Sequence, residues 1–253
     1  MFLDSLSNTA WMPMPDLPRV IERLRGRDTY LIVDNTCLSV GCQPFELAGA
    51  GDAVRLVVFE SLLKYAQFGL DRVNAGVIVA RAADAEALDR YREHTGANIP
   101  DFAAHALPPP DRNVLERRLG RIERNALYLA ARLAESASPG VTVVHPGLPG
   151  HPGADVAARL RFSGGCLSVV LPDTEQRLDR QRALVEAAVA EAARRQVRLV
   201  AGSSFGFDTT RIYLTAANAE RGTPFVRVAA GTEHRLELEP LATALAAATE
   251  RVT

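Results

Sequence analysis

The chain has 253 residues, with 29 basic and 30 acidic side chains, a formal charge of −1 and 47% hydrophobic residues. This composition excludes disorder, and the balanced charge gives no electrostatic case for nucleic acid or an anionic membrane as partner. No apolar window approaches a membrane span and no basic n-region precedes the first apolar run. The three cysteines, without a C-x-x-C pair, suit reduced thiols of the cytoplasm.

Phe2–Leu6 reads as a short strand and 8–15 as a Pro-containing loop. Asp16 is placed to cap a helix with Pro18 in its first turn, a stripe of Leu17, Val20, Ile21 and Leu24, and Gly26 as its end. Tyr30–Val33 and Leu56–Phe59 read as buried strands, Ala75–Ala80 as a third apolar run and Ala83–Arg92 as a helix. Short apolar strands separated by helices or long loops predict an α/β sheet covered on both faces. Residues 98–111 break the pattern, and 107–111 mark a loop. Leu115, Leu119, Ile122, Ala126, Leu129 and Leu133 recur at helical spacing within a long helix over 113–134. After a turn at 136–140 come a strand at 141–144, a helix at 153–161, a strand at 165–171, a helix at 174–195, a strand at 197–201, a segment around 225–229 and a final helix near 239–251. The second set predicts an antiparallel-type sheet with helices on one side, and a domain boundary near 135, giving units 1–135 and 136–253.

Two features carry chemistry. A strand runs into Asp34, and Lys64 of Ser61-x-x-Lys64 lies just past the next strand. Ligands of open α/β sheets sit beyond the carboxyl ends of the strands, so both side chains can face one molecule. A partly desolvated lysine gives up its proton readily and can form a Schiff base; a carboxylate can hold a pyridine nitrogen protonated. On spacing alone, a strand-end aspartate and a solvated lysine account for the same pattern. Histidines 94, 105 and 234 show no metal-ligand spacing, His145 and His151 read as structural, and no metal site is expected.

The wider context adds a resemblance. Residues 31–39 (LIVDNTCLS) are similar to the VVDNTF(L/A)S segment of the Cys/Met-metabolism family, the cystathionine synthase/lyase group of fold-type I pyridoxal-phosphate enzymes. Residues 60–65 (ESLLKY), with Asp71 and 75–77 (AGV), resemble the family's S-x-T-K-Y…D-V-x-x-G-x-V. Residues 4–9 resemble E-S-P-x-N-P, 145–152 Y-P-G-L-P-S-H-P, 163–168 F-G-G-M-L-S, and 225–233 L-L-R-(I/L)-S-V-G-I-E.

The resemblance implies an α/β fold: the C-terminal part of a fold-type I large domain (mixed sheet with helices) followed by an α+β C-terminal domain. It implies pyridoxal 5'-phosphate as cofactor and an amino acid as substrate. Lys64 would carry the cofactor as a Schiff base and shuttle protons. Asp34 would pair with the pyridine nitrogen, and Ser61 would touch the phosphate. Asn8 would bond the ring hydroxyl or the substrate carboxylate. Arg227 would clamp the α-carboxylate, with Ser204 of 203–206 (SSFG) nearby. Asn8 as a turn cap and Arg227 as a structural ion pair are the plain alternatives.

The chain departs from the pattern in three places. Leu63 replaces the usual Thr beside the lysine, 98–110 lacks the family's glycine-rich stretch, and Arg72 follows Asp71. The match also begins at a strand midway through a family member. The preceding part carries the glycine-containing phosphate turn, the aromatic residue that stacks on the ring, and several strands. The expectation is therefore a split enzyme, completed by a partner polypeptide supplying that N-terminal portion, and a sheet with uncovered apolar surface and an unpaired edge. A truncated sequence is the alternative for the missing part, and a non-catalytic binding or regulatory subunit is the alternative for function.

Overall fold

The structure, a computed structural model, describes residues 1–51, 53–172, 177–215 and 224–252. The first sheet has the order β1 (Phe2–Asp4), β2 (Tyr30–Asp34), β3 (Arg55–Ser61) and β4 (Gly76–Ala80). The first three strands are parallel and β4 is antiparallel to β3. Helix α1 (Leu17–Leu24) is capped by Asp16, whose side chain accepts from the Arg19 N–H at 3.3 Å. It is followed by the short α2 (Pro44–Ala48) between β2 and β3, and by α3 (Ala82–Thr95) and α4 (Asp101–Ala106) after β4. The break in pattern over 98–111 thus holds one short helix, α4, followed by the loop expected at 107–111.

Side chains alternate across a strand, so the register sorts this sheet into two faces. Leu31 and Val33 of β2 share one face with Leu56 and Val58 of β3, and all four are buried in the core. The opposite face carries Phe2, Ile32, Val57, Phe59 and Ile78, with Asp4, Asp34 and Ser61 at its carboxyl-end rim. Phe2 and Ile78 on it are 62% and 61% exposed, and the Phe2 and Phe59 rings stack over β2 at 5.9 Å. Coverage on both faces, read from the short apolar strands, is therefore corrected. One face is open, because strand hydrophobicity reports what a face can bury, not what covers it. β1 and β4 are both edge strands.

Helix α5 (Arg112–Ser136) buries every residue of the predicted stripe. Its first half, with Leu115, Leu119 and Ile122, packs into the core under the first sheet, and its second half, with Ala126, Leu129 and Leu133, into a second core. Each fully buried large aliphatic side chain contributes about 1.5–3 kcal/mol, so this one helix fastens the two units together.

The second sheet has the order β5 (Thr142–Val144), β6 (Cys166–Val170), β9 (Phe225–Ala229), β8 (Arg211–Thr215) and β7 (Val200–Ala201). It is antiparallel apart from the β7–β8 pair. The remaining helices are α6 (Ala154–Ala157), α7 (Leu178–Arg194) and α8 (Arg235–Glu250). Residues 174–176 of the helix expected from 174 lie outside the described residues. Strand β8 is a finding that the sequence pattern did not announce. α8 begins a turn earlier than expected: His234 and Glu237 form a capping box, and Pro240 is accommodated inside the helix. In β6 and β9, Leu167, Val169, Val226 and Val228 face the helices, while Ser168 and Arg227 are register partners on the other face. That second face packs toward the first unit, through Cys166, Val170, Phe225 and Ala229. The helices expected on one side of this sheet, α5, α7 and α8, are there; because the other face packs on the first sheet's core, both central strands are buried throughout.

Candidate active site

Lys64 follows β3 in a turn that two side chains hold in shape. Tyr65 is 1% exposed and packs edge-on against Phe162 (5.4 Å) and tilted against Phe205 (5.1 Å). Buried Gln67 donates to the carbonyls of Leu62 (3.0 Å) and Val73 (2.7 Å) and accepts from the N–H groups of Arg72 and Val73. These contacts fix the turn, so the neighbouring Lys64 is presented half-buried with its Nζ 5.6 Å from the Phe205 ring centroid. Burial lowers the Lys64 pKa and Arg227 lowers it further, against the opposing charge of Asp71. Lys64 is also the only lysine among 253 residues, beside 28 arginines. Wherever else the chain needs a cation it uses guanidinium. Only here is there a side-chain amine, the group that can condense with an aldehyde.

Arg227 reaches this spot because alternation along β9 turns it away from the helices. It is 7% exposed, its guanidinium lies 5.6 Å from the same Phe205 ring, and its Nη1 donates to Asn8 Oδ1 at 2.7 Å. Asn8 sits in the loop after β1, which the Ser7 N–H closes by donating to the Pro13 carbonyl at 3.0 Å. Ser204 precedes Phe205 in a left-handed conformation (φ 71°), and its buried Oγ has no hydrogen-bond partner. Gly206 follows at φ 91°. A Cβ there would stand 2.8 Å from the Lys64 carbonyl, so only glycine lets this loop lie on the Lys64 backbone.

Asp34 and Ser61 occupy the rim of the open face at the ends of adjacent strands. Asp34 Oδ1 accepts from the Thr36 N–H at 2.9 Å, and Thr36 Oγ1 accepts from the Ser61 N–H at 3.0 Å, so Thr36 ties the two strand ends together. Register places Asp4 beside Asp34; burial, and then the Asp34 charge, raise the Asp4 pKa against a hydrogen bond from Ser7. The Cys37 thiol feels both the Asp34 and the Arg227 charge. Burial pushes it up, the neighbouring Cys166 and the Asp34 charge push it further, and Arg227 opposes them. Cys37 and Cys166 line one tight recess of about 10 Å³ together with Asn8, Tyr65 and Phe205.

The six residues singled out from the sequence thus fall in two places. Lys64, Arg227, Asn8 and the Ser204 loop converge on Phe205, while Asp34 and Ser61 stand at the strand-end rim. Phe205, Tyr65, Gln67, Thr36 and Gly206 were not anticipated as parts of the site. They act through packing and backbone bonds: Thr36, Tyr65, Phe205 and Gly206 stand inside segments that carry the resemblance but were given no role there, and Gln67 stands outside them. The single lysine was the one further signal open to counting.

The chain matches the profile of the family described as Cys/Met metabolism PLP-dependent enzyme over residues 1–239. It is 28% identical over 99% of its length to the bifunctional enzyme flvA of Aspergillus flavus, covering 30% of that protein. It is 30% identical over 62% of its length to the cystathionine gamma-synthase of Mycobacterium tuberculosis, covering 39% of it. Among solved structures, the cystathionine gamma synthase of Xanthomonas oryzae pv. oryzae superposes with a TM-score of 0.77 at 25% identity, over 99% of this chain and 62% of that one. The apo form of CalE6, a methionine gamma lyase from Micromonospora echinospora, gives 0.75 at 25% identity, over 98% of this chain and 64% of that one. The chain therefore spans less than two thirds of the length of these relatives. In fold and in sequence it belongs to the Cys/Met metabolism family of pyridoxal-phosphate-dependent enzymes.

Proposed function

We propose that this chain supplies the lysine-bearing part of a pyridoxal-phosphate site that carries out β- or γ-elimination or replacement on an amino acid, in the manner of a cystathionine gamma-synthase. The observation that carries the reading is the sole lysine of the chain, held half-buried beside Arg227 at the carboxyl ends of the strands. The residues fit the cofactor, with one amine of lowered pKa and one carboxylate at a strand end, and they fit its substrate, with the buried Ser204 Oγ having no hydrogen-bond partner among the described residues. When bound, the cofactor supplies an electron sink for carbanion chemistry at the substrate's α-carbon.

Lys64 would hold the cofactor through its amine and would take and return the α-proton at Nζ. Asp34 pairs with the pyridine nitrogen and Ser61 with the phosphate. Arg227, oriented by Asn8 and backed by Phe205, clamps the α-carboxylate with Ser204 beside it. In this reading residues 1–135 form the cofactor-binding unit and 136–253 the small domain. The free thiols suit the cytoplasm. Among the described residues no helix is long and apolar enough to cross a membrane.

The reading includes a complementing polypeptide that carries the rest of the large domain and seats on the open sheet face. Exposed Phe2 and Ile78, with half-buried Phe59 between them, form the apolar floor, and Asp34 and Ser61 stand at its rim, so whatever covers the face also closes the cofactor site. Borohydride reduction after incubation with pyridoxal phosphate and the copurified partner tests the site: the expected result is one mass increment, on the Lys64 peptide. Its absence overturns the cofactor reading. A chain that is monodisperse alone and gains the increment without a partner overturns the split.

A further inference from the structure

We infer that Arg118 of α5 is a positioning residue for the Lys64–Arg227 site, clamping the 203–208 loop onto the Lys64 turn. This rests on the functional reading of Lys64 and Arg227 given above. Arg118 is 13% exposed in its side chain and makes two directed bonds into the loop. Its Nη1 donates to Asp208 Oδ1 at 2.6 Å and its Nη2 to the Gly206 carbonyl at 2.9 Å. The Lys64 turn meets the same guanidinium: a Cβ on Gly69 would lie 2.8 Å from Arg118 Nη2 and 3.4 Å from the Gly206 carbonyl oxygen. Helix, turn and loop therefore join at one planar group, whose fork geometry suits two fixed acceptors.

The carboxylate end of the clamp is itself braced. Asp208 Oδ1 also accepts from Thr232 Oγ1 at 2.7 Å, and the Asp208 carbonyl accepts from the Thr232 N–H at 2.8 Å. What the clamp holds down is Phe205, the ring that both Lys64 Nζ and the Arg227 guanidinium approach at 5.6 Å. The far side of the loop is pinned separately, by Arg211 Nη1 donating to the Ser203 carbonyl at 2.8 Å. Removing Arg118 therefore frees the Gly206–Asp208 side without detaching the whole loop. Freed, Phe205 withdraws and water reaches the amine, so the environment of Lys64 changes although Arg118 does not touch it.

The sole lysine makes this measurable on the intact chain. Reductive methylation with 13C-formaldehyde labels only Lys64 and the terminal amine, and the Lys64 methyl signal reports its pKa by NMR titration. The charges that already act on the amine, those of Arg227 and Asp71, are unchanged in the variants. Arg118→Gln and Asp208→Ala are both expected to raise the Lys64 pKa by about 0.5 unit or more, toward its ordinary value. The sign in Asp208→Ala is decisive. Loss of a negative charge acting through space lowers a lysine pKa, whereas release of the loop raises it. A rise supports the clamp; a fall or no change overturns it. If Asp208→Ala does not fold, Thr232→Val, which removes one donor to Asp208, decides in the same way. These readouts need no bound cofactor. A wild-type chain that fails the borohydride test overturns the functional reading, and an unmoved Lys64 pKa overturns the clamp.

Discussion

The Arg227 guanidinium donates to Asn8 Oδ1 at 2.7 Å across a separation of 219 residues. One partner lies on the buried face of β9 and the other in the loop after β1, so this bond joins the two sheets at the site. Asn8 spends its carbonyl oxygen on Arg227, leaving its amide N–H groups to donate to a ligand. Asn8→Ala removes the orienting acceptor and leaves Arg227 charged. In the assembled enzyme it is expected to raise KM for the amino acid by roughly 10-fold with a smaller change in kcat, as fits a hydrogen bond to a charged group. Steady-state kinetics on the copurified complex measure the split; a fall in kcat alone contradicts the assignment.

Replacing Lys64 leaves no other lysine to substitute for it. Lys64→Arg keeps the positive charge and much of the stem but cannot condense with an aldehyde. Turnover and the borohydride-fixed mass increment are both expected to fall to background, while thermal unfolding shifts by no more than about 1 kcal/mol. Mass spectrometry and calorimetry on the same sample check this, and retained turnover contradicts the role.

Glu60 gives a pH dependence of stability. Burial raises its pKa to about 7, with the Ser39 hydroxyl opposing and the Asp34 charge adding to the rise. In the unfolded chain the group titrates near the ordinary glutamate value of about 4.3. The native state holds a proton across the window from there to about 7 that the unfolded chain has released. Its contribution is therefore fully present below the window and is lost as pH rises through about 7. Glu60→Gln keeps an acceptor for Ser39 Oγ and removes the titration. The stability of the variant relative to wild type is expected to increase from about pH 5 to about pH 8 and to level off above. Urea titrations at a series of pH values test it; a flat difference refutes it.

The open face predicts a separation of folding from assembly. Ile78 is 61% exposed on an edge strand, so Ile78→Asp should change the stability of the isolated chain by only about 0.5 kcal/mol. The same change places a charge in the middle of the proposed partner surface and should abolish copurification of the second polypeptide. Unimpaired assembly would place the partner elsewhere.

Gly206→Ala tests how tightly the loop is set on the Lys64 turn. The new Cβ would stand 2.8 Å from Lys64 backbone atoms, at a φ of 91° that side chains rarely adopt. A loss of about 1–3 kcal/mol is expected, measured by chemical denaturation.

Local order was written in the sequence. The stripe from Leu115 to Leu133, the Asp16 cap and the runs at 30–33 and 56–59 each became the expected element, because periodicity and capping act over a few residues. Six segments in order, from 4–9 to 225–233, named the family, and counting would have shown that Lys64 is the single lysine. Pairing decided the rest. β8 became a strand because β9 and β7 flank it, and Arg227 points at Asn8 rather than at the helices because register with Ser168 sets its face. Phe205, Gln67 and Arg118 gained their places through contacts with residues near in space. Such contacts depend on how two sheets dock across α5, a long-range packing outcome that no short window of residues encodes.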